Sequence, residues 1–363
     1  MMMNGLNNDS SEPEHKNIKK EVIQNDIIRL LKKFFMILIL FSITIFPKLF
    51  ECQHEDNKID NSVKIKFDLV IPVNYNDTEM LSKQRPLFKK FIDYEHIIII
   101  SPKFIKNSDK TGEVIFIQED KLVPKENLGS IFFKRGIIDT NRLGWYQQQF
   151  LKMGYSRICK NDYYLIWDSD TFPTKKIEMF ENGTPIFDMK TEHHSAYFIT
   201  MNHLFDNLHK SKYSYISEHM IIKTEFMKKL LDDIENNKKI PGKMFWEKIL
   251  ISIDKSDINK SGFSEFETYG SYVDTKFPNF YKHRKWNSKR DMTIFYGNIS
   301  NMDENDFNWV SKDYDAITFE KRYKFDEQNF KYIKNLEIHK LYRSKKFFKF
   351  YKRIIKKYNK IKK

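Results

Sequence analysis

Two carboxylates, Asp168 and Asp170, stand one residue apart where an apolar run ends. The run, Tyr163–Trp167, is short and rich in β-favouring residues, so it predicts a buried strand with both acids in the loop at its carboxyl end. Ligands bind at this edge in open α/β sheets. Hard oxygen ligands there suit Mg²⁺ or Mn²⁺ holding a diphosphate. The alternative is a solvated turn, because Asp and Ser are favoured turn formers.

The elements that precede this loop predict its place in a fold. Residues 67–73, 96–101 and 114–117 are short apolar strands, separated by segments long enough for helices or crossovers. Near-continuous apolar strands spaced in this way favour a parallel sheet covered on both faces. Residues 140–153 have helical periodicity, and Gly154 supplies a stop. The acidic loop should therefore follow roughly the fourth strand of an α/β domain.

The rest of the chain beyond this loop reads as mixed strands and helices, including residues 196–200, 225–236 and 244–253. No internal repeat or low-complexity linker divides them. We therefore expect one continuous folded domain over residues 65–325.

Composition excludes a disordered chain and weakens a nucleic-acid role. The 363 residues are 40% hydrophobic and include 32 Phe and 19 Tyr, which is ample material for a core. The net charge of +14 is concentrated at one end: residues 343–363 hold eleven Lys and Arg and no acid, so the other 342 residues carry only +3. A nearly neutral body argues against nucleic acid as a partner. The two cysteines, Cys52 and Cys159, form neither a disulfide framework nor a zinc-ligand spacing.

One segment, residues 34–50, is apolar enough to enter a membrane. Basic residues precede it and acidic residues follow it, which places the amino terminus in the cytoplasm. We expect an uncleaved signal anchor, preceded by a polar leader (residues 1–33) and followed by a charged stem (residues 51–64). The alternatives are a signal-peptide core, since only thirteen residues run uninterrupted before Pro47, and a buried helix of a soluble protein. An anchor would make the chain a single-pass type II membrane protein, in the Golgi or another endomembrane lumen if the source is eukaryotic.

The carboxyl-terminal tail, residues 326–363, predicts a basic amphipathic helix. Its apolar residues fall at helical spacing, with Lys and Arg at the other positions. Such a helix could lie on an anionic membrane surface. It could also pack on the domain or fray.

Five segments in this order together resemble a known family. They are residues 68–73 (DLVIPV), 142–152 (RLGWYQQQFLK), 163–171 (YYLIWDSDT), 217–220 (SEHM) and 263–270 (FSEFETYG). The set is similar to the GT-A glycosyltransferases, and within them to a little-characterised group associated with polysaccharide biosynthesis. The likeness spans about residues 66–320. It implies a Rossmann-like α/β fold with a mixed, mostly parallel sheet and flanking helices, and it makes residues 65–325 the catalytic domain.

The resemblance also implies a donor side. Asp168 and Asp170 would hold Mn²⁺ or Mg²⁺ and the diphosphate of a nucleotide sugar, with Asp170 in direct contact and Asp168 acting through water or on the ribose. Trp167, an aromatic residue before the first Asp, departs from the family pattern and would shape the nucleotide pocket. His283 is the candidate third metal ligand, and Arg284 or Lys285 would contact the phosphates. The alternative for that cluster is a solvated basic loop.

Two further side chains complete the predicted donor site. Trp145 and Gln148 are candidate donor contacts. Gln147, Gln148 and Gln149 are consecutive on a helix, so at most one or two of them can face the same site.

The acceptor side is less specific. The acceptor would be a glycan, a lipid or a protein, and an inverting enzyme needs a general base for its hydroxyl group. Glu265 and Glu267 are the candidates, because alternation predicts both on one face of an extended segment with Phe266 opposite. Glu218 and His219 form a second acid/base candidate. A retaining mechanism would need no base so placed, and exposed paired glutamates are the structural alternative.

Two rival functions use the same residues differently. A haloacid-dehalogenase-like phosphatase places Asp-x-Asp directly after its first strand, with Thr or Val in the fifth position. Here Phe172 holds that position and three strands come earlier. A membrane-anchored binding or scaffold protein would keep the acids as a turn and would show no metal-dependent nucleotide binding.

Overall fold

The structure, a computed structural model, describes residues 65–74, 78–103, 112–137, 140–206, 208, 210–325, 327, 344–349 and 353. Its strands are β1 (Phe67–Pro72), β2 (Ile97–Ser101), β3 (Val114–Gln118), β4 (Tyr163–Trp167), β5 (Thr171–Pro173), β6 (Phe180–Glu181), β7 (Thr184–Met189), β8 (His219–Lys223), β9 (Lys282–Lys285), β10 (Ser288–Lys289) and β11 (Ala316–Thr318). Its α-helices are α1 (Thr78–Phe91), α2 (Lys125–Lys134), α3 (Thr140–Gly154), α4 (Ser195–Leu204), α5 (Thr224–Asn236), α6 (Phe245–Ser252), α7 (Glu265–Lys276), α8 (Thr293–Tyr296) and α9 (Glu304–Ser311).

The main sheet has the order β3-β2-β1-β4-β8. Strands β1 to β4 are parallel, and β8 is antiparallel to β4. The four predicted strands are present with bounds within one residue, and the predicted helix is α3. The mixed, mostly parallel sheet is confirmed. Because β8 runs the other way, its first residues lie at the same edge as the carboxyl ends of β1 to β4.

The central strands are apolar for a physical reason. Strands β1, β2 and β4 are buried at every position, and β2 begins with four consecutive isoleucines. A strand covered on both faces needs apolar side chains in both directions, and β-branched residues suit an extended backbone. This sheet is the rigid base on which the candidate site rests.

Two smaller sheets complete the description. One has the order β10-β11-β5, with β5 antiparallel to β11 and continuous with the acidic loop. The other has the order β6-β7-β9. A second apolar cluster beside β5 and β11 includes Trp309, Phe295 and Phe348.

Two predictions concern the chain ends. Among the described residues, no helix combines the length and the apolarity needed to cross a bilayer. The expected anchor, residues 34–50, lies outside that set. In the tail, residues 344–349 are helical, and Phe348 is 2% exposed against Trp309 and Phe295. Over residues 344–349, the helix therefore packs on the domain, which was one of the two alternatives to a membrane-surface helix.

Candidate active site

The acidic loop is fixed by backbone hydrogen bonds. The amide of Asp168 donates to the carbonyl oxygen of Glu218 at 2.9 Å, and the amide of Phe319 donates to the carbonyl oxygen of Asp170 at 3.0 Å. The indole Nε1 of Trp167 donates to the carbonyl oxygen of Thr171 at 2.8 Å. The loop thus joins the main sheet to the β10-β11-β5 sheet, and its two carboxylates lie at the carboxyl edge of the parallel strands, as predicted.

Lys152 links this loop to helix α7. Its Nζ donates to Oδ1 of Asp168 at 2.5 Å and to Oε1 of Glu265 at 2.6 Å. Burial alone would lower the pKa of Lys152, but the two carboxylates raise it above the usual value. Burial raises the pKa of Glu265 although Lys152 opposes that shift. Lys152 therefore stays charged and shares its charge between two acids.

Lys152 was given no role from the sequence, although it lies inside residues 142–152, one of the five segments that resemble the glycosyltransferases. The available signal was a lysine between Leu151 and Met153, both of them buried. A buried lysine needs an acidic partner. The identity of that partner depends on long-range contacts.

Asp170 lies in a strongly acidic environment. Burial, followed by the charges of Asp168, Glu320 and Glu218, raises its pKa to about 7. Arg290 offsets part of this charge, since its Nε donates to Oε1 of Glu320 at 2.7 Å and lies 3.3 Å from Oε1 of Glu218. Hard oxygen donors with an excess of negative charge fit a divalent cation such as Mg²⁺ or Mn²⁺.

Glu218 is held by several donors at once. Its Oε2 accepts from Trp286 Nε1 at 3.0 Å and from Ser288 Oγ at 2.8 Å, and Lys190 donates to its Oε1. The backbone of Glu218 has a φ of 65°, in the left-handed region that non-glycine residues rarely adopt. Held in this way, its carboxylate is a poor candidate for a mobile proton acceptor.

His219 is packed rather than open. It is 1% exposed, and its ring lies between those of Trp167 and Trp286, with centroid distances of 4.9 and 4.4 Å. Its Nε2 is 3.0 Å from Oδ2 of Asp188. These contacts give His219 a role in fixing the start of β8.

The predicted third ligand and phosphate contact lie in other interactions. Arg284 makes two hydrogen bonds of 2.7 Å to Asp188. His283 lies 3.2 Å from Asp274 on the largely exposed strand β9. The structure does not bring His283 together with Asp168 and Asp170.

Among the described residues, one group of three converges as metal ligands would, namely Asp68, Glu95 and His96. They lie at the amino ends of β1 and β2, which is the opposite edge of the sheet. Each already has a partner: Tyr155 donates to Asp68 at 2.8 Å, Lys66 donates to Glu95 at 2.7 Å, and His96 lies 3.2 Å from Asp68.

The prediction of an extended segment around Glu265 and Glu267 is wrong. These residues form the first turn of α7, where Ser264 is the N-cap and its Oγ accepts from the Glu267 amide at 3.3 Å. A serine cap followed by acidic residues stabilises a helix start. Side chains two residues apart on a helix point to different sides. Glu265 therefore accepts a hydrogen bond from Lys152, whereas Glu267 accepts one from Ser214 Oγ at 2.8 Å.

A cleft of about 360 Å³ opens at the carboxyl edge of the sheet. Ser169 of the acidic loop lines it together with Trp145, Gln147 and Gln148. Gln149 points elsewhere and accepts a hydrogen bond from the Glu265 amide at 3.2 Å. The structure thus brings the predicted donor contacts Trp145 and Gln148 to the same cleft as the acidic loop, and two of the three glutamines face it.

Comparison with solved structures finds glycosyltransferases at low similarity. Mouse xyloside xylosyltransferase 1 is 9% identical, with 70% of this chain and 97% of that chain covered and a TM-score of 0.36. The galactosyltransferase LgtC is 10% identical, with 71% and 88% covered and a TM-score of 0.35. GlyE of Streptococcus pneumoniae TIGR4 is 10% identical, with 71% and 55% covered and a TM-score of 0.30. Similarity at this level assigns no function.

Comparison of sequences is more decisive. No curated protein matches the chain. A family model described as a family of unknown function (DUF6492) matches residues 78–334, which is more than half of the sequence. The chain therefore belongs to this family of unknown function, DUF6492.

Proposed function

We propose that the chain is a glycosyltransferase that moves a sugar from a nucleotide-sugar donor to a glycan, lipid or protein acceptor. One observation carries the proposal: Asp168 and Asp170 lie at the carboxyl edge of a mostly parallel sheet, beside a cleft that Trp145 and Gln148 line. Carboxylates supply metal ligands, an indole supplies a stacking surface, and an amide supplies directional hydrogen bonds. A nucleoside diphosphate needs all three.

The donor side requires a cation. Asp170 would hold Mn²⁺ or Mg²⁺ directly, since its carboxylate is surrounded by other acids, and Asp168 would act through water or on the ribose. The bound metal would supply Lewis-acid stabilisation of the diphosphate leaving group. His283 would act as a third ligand, and Arg284 as a phosphate contact, only after a rearrangement that separates them from Asp274 and Asp188 and brings them to the acidic loop.

On the acceptor side, Glu265 is the best-placed base. It is the one of the three candidate glutamates that shares a partner with Asp168. Burial raises its pKa, and a higher pKa makes a carboxylate a stronger base. Glu218 and Glu267 accept their hydrogen bonds from Trp286 and from Ser214, and neither is joined to Asp168 through Lys152.

The surrounding chain fits an enzyme attached to a membrane. The expected signal anchor at residues 34–50 would place the catalytic domain on the side opposite to the cytoplasm, as a single-pass type II protein. The acceptor would then be met at that face of the membrane.

The test is a screen of the full-length chain against UDP-, GDP- and CMP-sugars, with and without Mn²⁺, for binding and for transfer or hydrolysis. Asp170→Asn should lower metal-dependent turnover by about 100-fold or more, because several kcal/mol of charge stabilisation are lost. Asp162→Asn is the matched control, since Asp162 precedes the same strand and its side chain is 82% exposed. Absence of binding to every sugar nucleotide, or full metal-dependent activity in Asp170→Asn, would show that the proposed site is wrong.

A further inference from the structure

Two polar side chains, those of Glu119 and Gln147, line the wall of the cleft. Both are buried, at 7% and 3% exposure, and neither belongs to the acidic loop or to the candidate base. We propose that this pair reads the pairing edge of a nucleobase and selects a keto base, uracil or guanine, over cytosine and adenine. The inference rests on the proposed function, which supplies a nucleoside diphosphate as the occupant.

The position of the pair follows from the strand order. Glu119 comes directly after β3, and Asp168 comes directly after β4. In the order β3-β2-β1-β4 these strands are three places apart, which is about 14 Å at a spacing of about 4.8 Å per strand. A diphosphate at the Asp168 end would therefore leave its nucleoside extended across β1 and β2, with the base near Glu119.

The walls between the two ends suit a flat ring without choosing among bases. Val73, Ile100 and Pro102 line the cleft together with Trp145. The Arg142 guanidinium lies over one face of the Trp145 ring, 4.8 Å from the ring centroid. Stacking on an aromatic ring tolerates every base, because each has a π-face. Selection must then come from the polar groups.

The two side chains offer a specific pattern of acceptors and donors. An ionised carboxylate only accepts hydrogen bonds, whereas an amide both donates and accepts. Burial raises the pKa of Glu119, but Lys125 and the Gln147 amide beside it oppose that shift and favour the ionised form. The charged form would accept N3–H of uracil, or N1–H and the 2-amino group of guanine. The Gln147 amide would donate to the neighbouring carbonyl oxygen of either base.

Cytosine and adenine present the opposite pattern. At the centre of the pairing edge each has a ring nitrogen with a lone pair and no hydrogen. That lone pair would face the oxygens of Glu119, and a buried polar group left without its partner carries a large penalty. A site built to accept an N–H group rejects an analogue that lacks it far more strongly than an apolar pocket can.

The experiment measures dissociation constants of GDP, UDP, CDP and ADP for the full-length chain with Mn²⁺. We expect GDP and UDP to bind about 10- to 100-fold more tightly than CDP and ADP, the range for hydrogen bonds to a charged group. Glu119→Gln should weaken GDP and UDP and should strengthen CDP, because its amide can donate to N3 and accept from the 4-amino group of cytosine. A larger loss for GDP than for UDP would identify guanine as the base.

Asp120→Asn is the matched control. Asp120 is exposed in the same short turn, does not line the cleft, and accepts from the Lys125 amide at 3.1 Å, which asparagine can also do. It removes the same charge and should leave the preference unchanged. The ratio of two ligands on one preparation does not depend on the folded fraction, so a partly unfolded variant still tests the inference.

Three results would overturn it. Equal affinity for all four nucleotides would refute base selection and leave the glycosyltransferase proposal standing. An equal loss for all four in Glu119→Gln would show that Glu119 supports the fold and reads nothing. If none of the four binds, the proposed function fails together with the inference.

Discussion

Replacing Lys152 by methionine removes the ammonium group that joins Asp168 to Glu265. The Nζ atom lies 2.5 Å from one carboxylate and 2.6 Å from the other, and the side chains of Lys152 and Glu265 are only 4% and 5% exposed. Methionine keeps most of the length of the side chain and loses only the ammonium group, whose Nζ also lies 4.5 Å from the centroid of the Phe266 ring. The substitution therefore isolates the charge.

The expected loss of stability follows from the buried partners. Breaking a buried ion pair by removing one member costs about 3–5 kcal/mol, because the other charge is left uncompensated. Two observations place the cost of Lys152→Met at the lower end of this range. The Asp168 side chain is 26% exposed and can recruit water, and the pKa of Glu265 is already raised by burial, so that this acid can neutralise itself by binding a proton. We expect a loss of about 3 kcal/mol at neutral pH.

Urea denaturation of the purified domain measures the loss. Glu265→Gln and the double variant complete a cycle, in which the double variant should be more stable than the sum of the two single effects predicts by about 1–3 kcal/mol. Lys176→Met is the control, because Lys176 makes a similarly short pair of 2.7 Å with Glu178 on the surface, where both side chains are more than half exposed. That pair should contribute less than about 1 kcal/mol. A cost below about 1 kcal/mol for Lys152→Met, or strict additivity in the cycle, would refute the shared ion pair.

Two other substitutions test the packing around α7. Burial raises the pKa of Glu267 above its usual 4.5, although the hydrogen bond from Ser214 opposes the shift. The folded state therefore binds a proton on Glu267 more tightly than the unfolded state does. As a result, the free energy of unfolding falls as the pH rises above about 4.5. In Glu267→Gln the free energy of unfolding, measured in urea, should depend less on pH in this range. An unchanged pH dependence would contradict this account of Glu267. In Gly270→Ala the new methyl would lie 2.2 Å from the ring of Tyr215, so we expect a loss of about 1–3 kcal/mol. Gly129→Ala meets nothing within 4 Å and should raise the urea midpoint, whereas equal effects would exclude the steric explanation.

The strands and the acidic loop could be predicted because their signals are local. Four consecutive isoleucines favour a strand, because they are β-branched, and β2 is such a strand, buried at every position. The position of Asp168 after Tyr163–Trp167 then fixes its edge of the sheet, since parallel strands share a direction. Nothing beyond the apolar pattern and the strand order was needed. The antiparallel strand β8 was missed because its direction depends on the path of the chain and not on its composition.

Glu265 and Glu267 show where a local signal was misread. Alternation of Glu with aromatic residues over a few positions fits an extended strand as well as the first turn of a helix. Ser264 decides between them, because its hydroxyl accepts the Glu267 amide and caps the helix. The consequence for the site is large: a strand would have presented both carboxylates together, whereas the helix sends them to Lys152 and to Ser214.

Long-range pairs explain the remaining differences. His283 and Arg284 lie in a basic run that suggests a phosphate contact, and nothing in the sequence indicates that Asp188, almost a hundred residues earlier, holds Arg284 with two hydrogen bonds. Such a pair forms only when β7 and β9 lie side by side. Sequence reasoning can list charged groups, but their pairing depends on the completed fold.

Lys152 also changes how the two sides of the site must be tested. From the sequence, Asp168 was predicted on the donor side and Glu265 on the acceptor side. In the structure, the ammonium group of Lys152 pairs with both carboxylates. Neutralising Glu265 leaves Lys152 to Asp168 alone and alters the charge at the donor motif. A loss of turnover in Glu265→Gln therefore identifies a base only if metal-dependent nucleotide binding is unchanged in the same variant. If both fall together, Glu265 acts as a positioning residue through Lys152, and the base must be sought elsewhere.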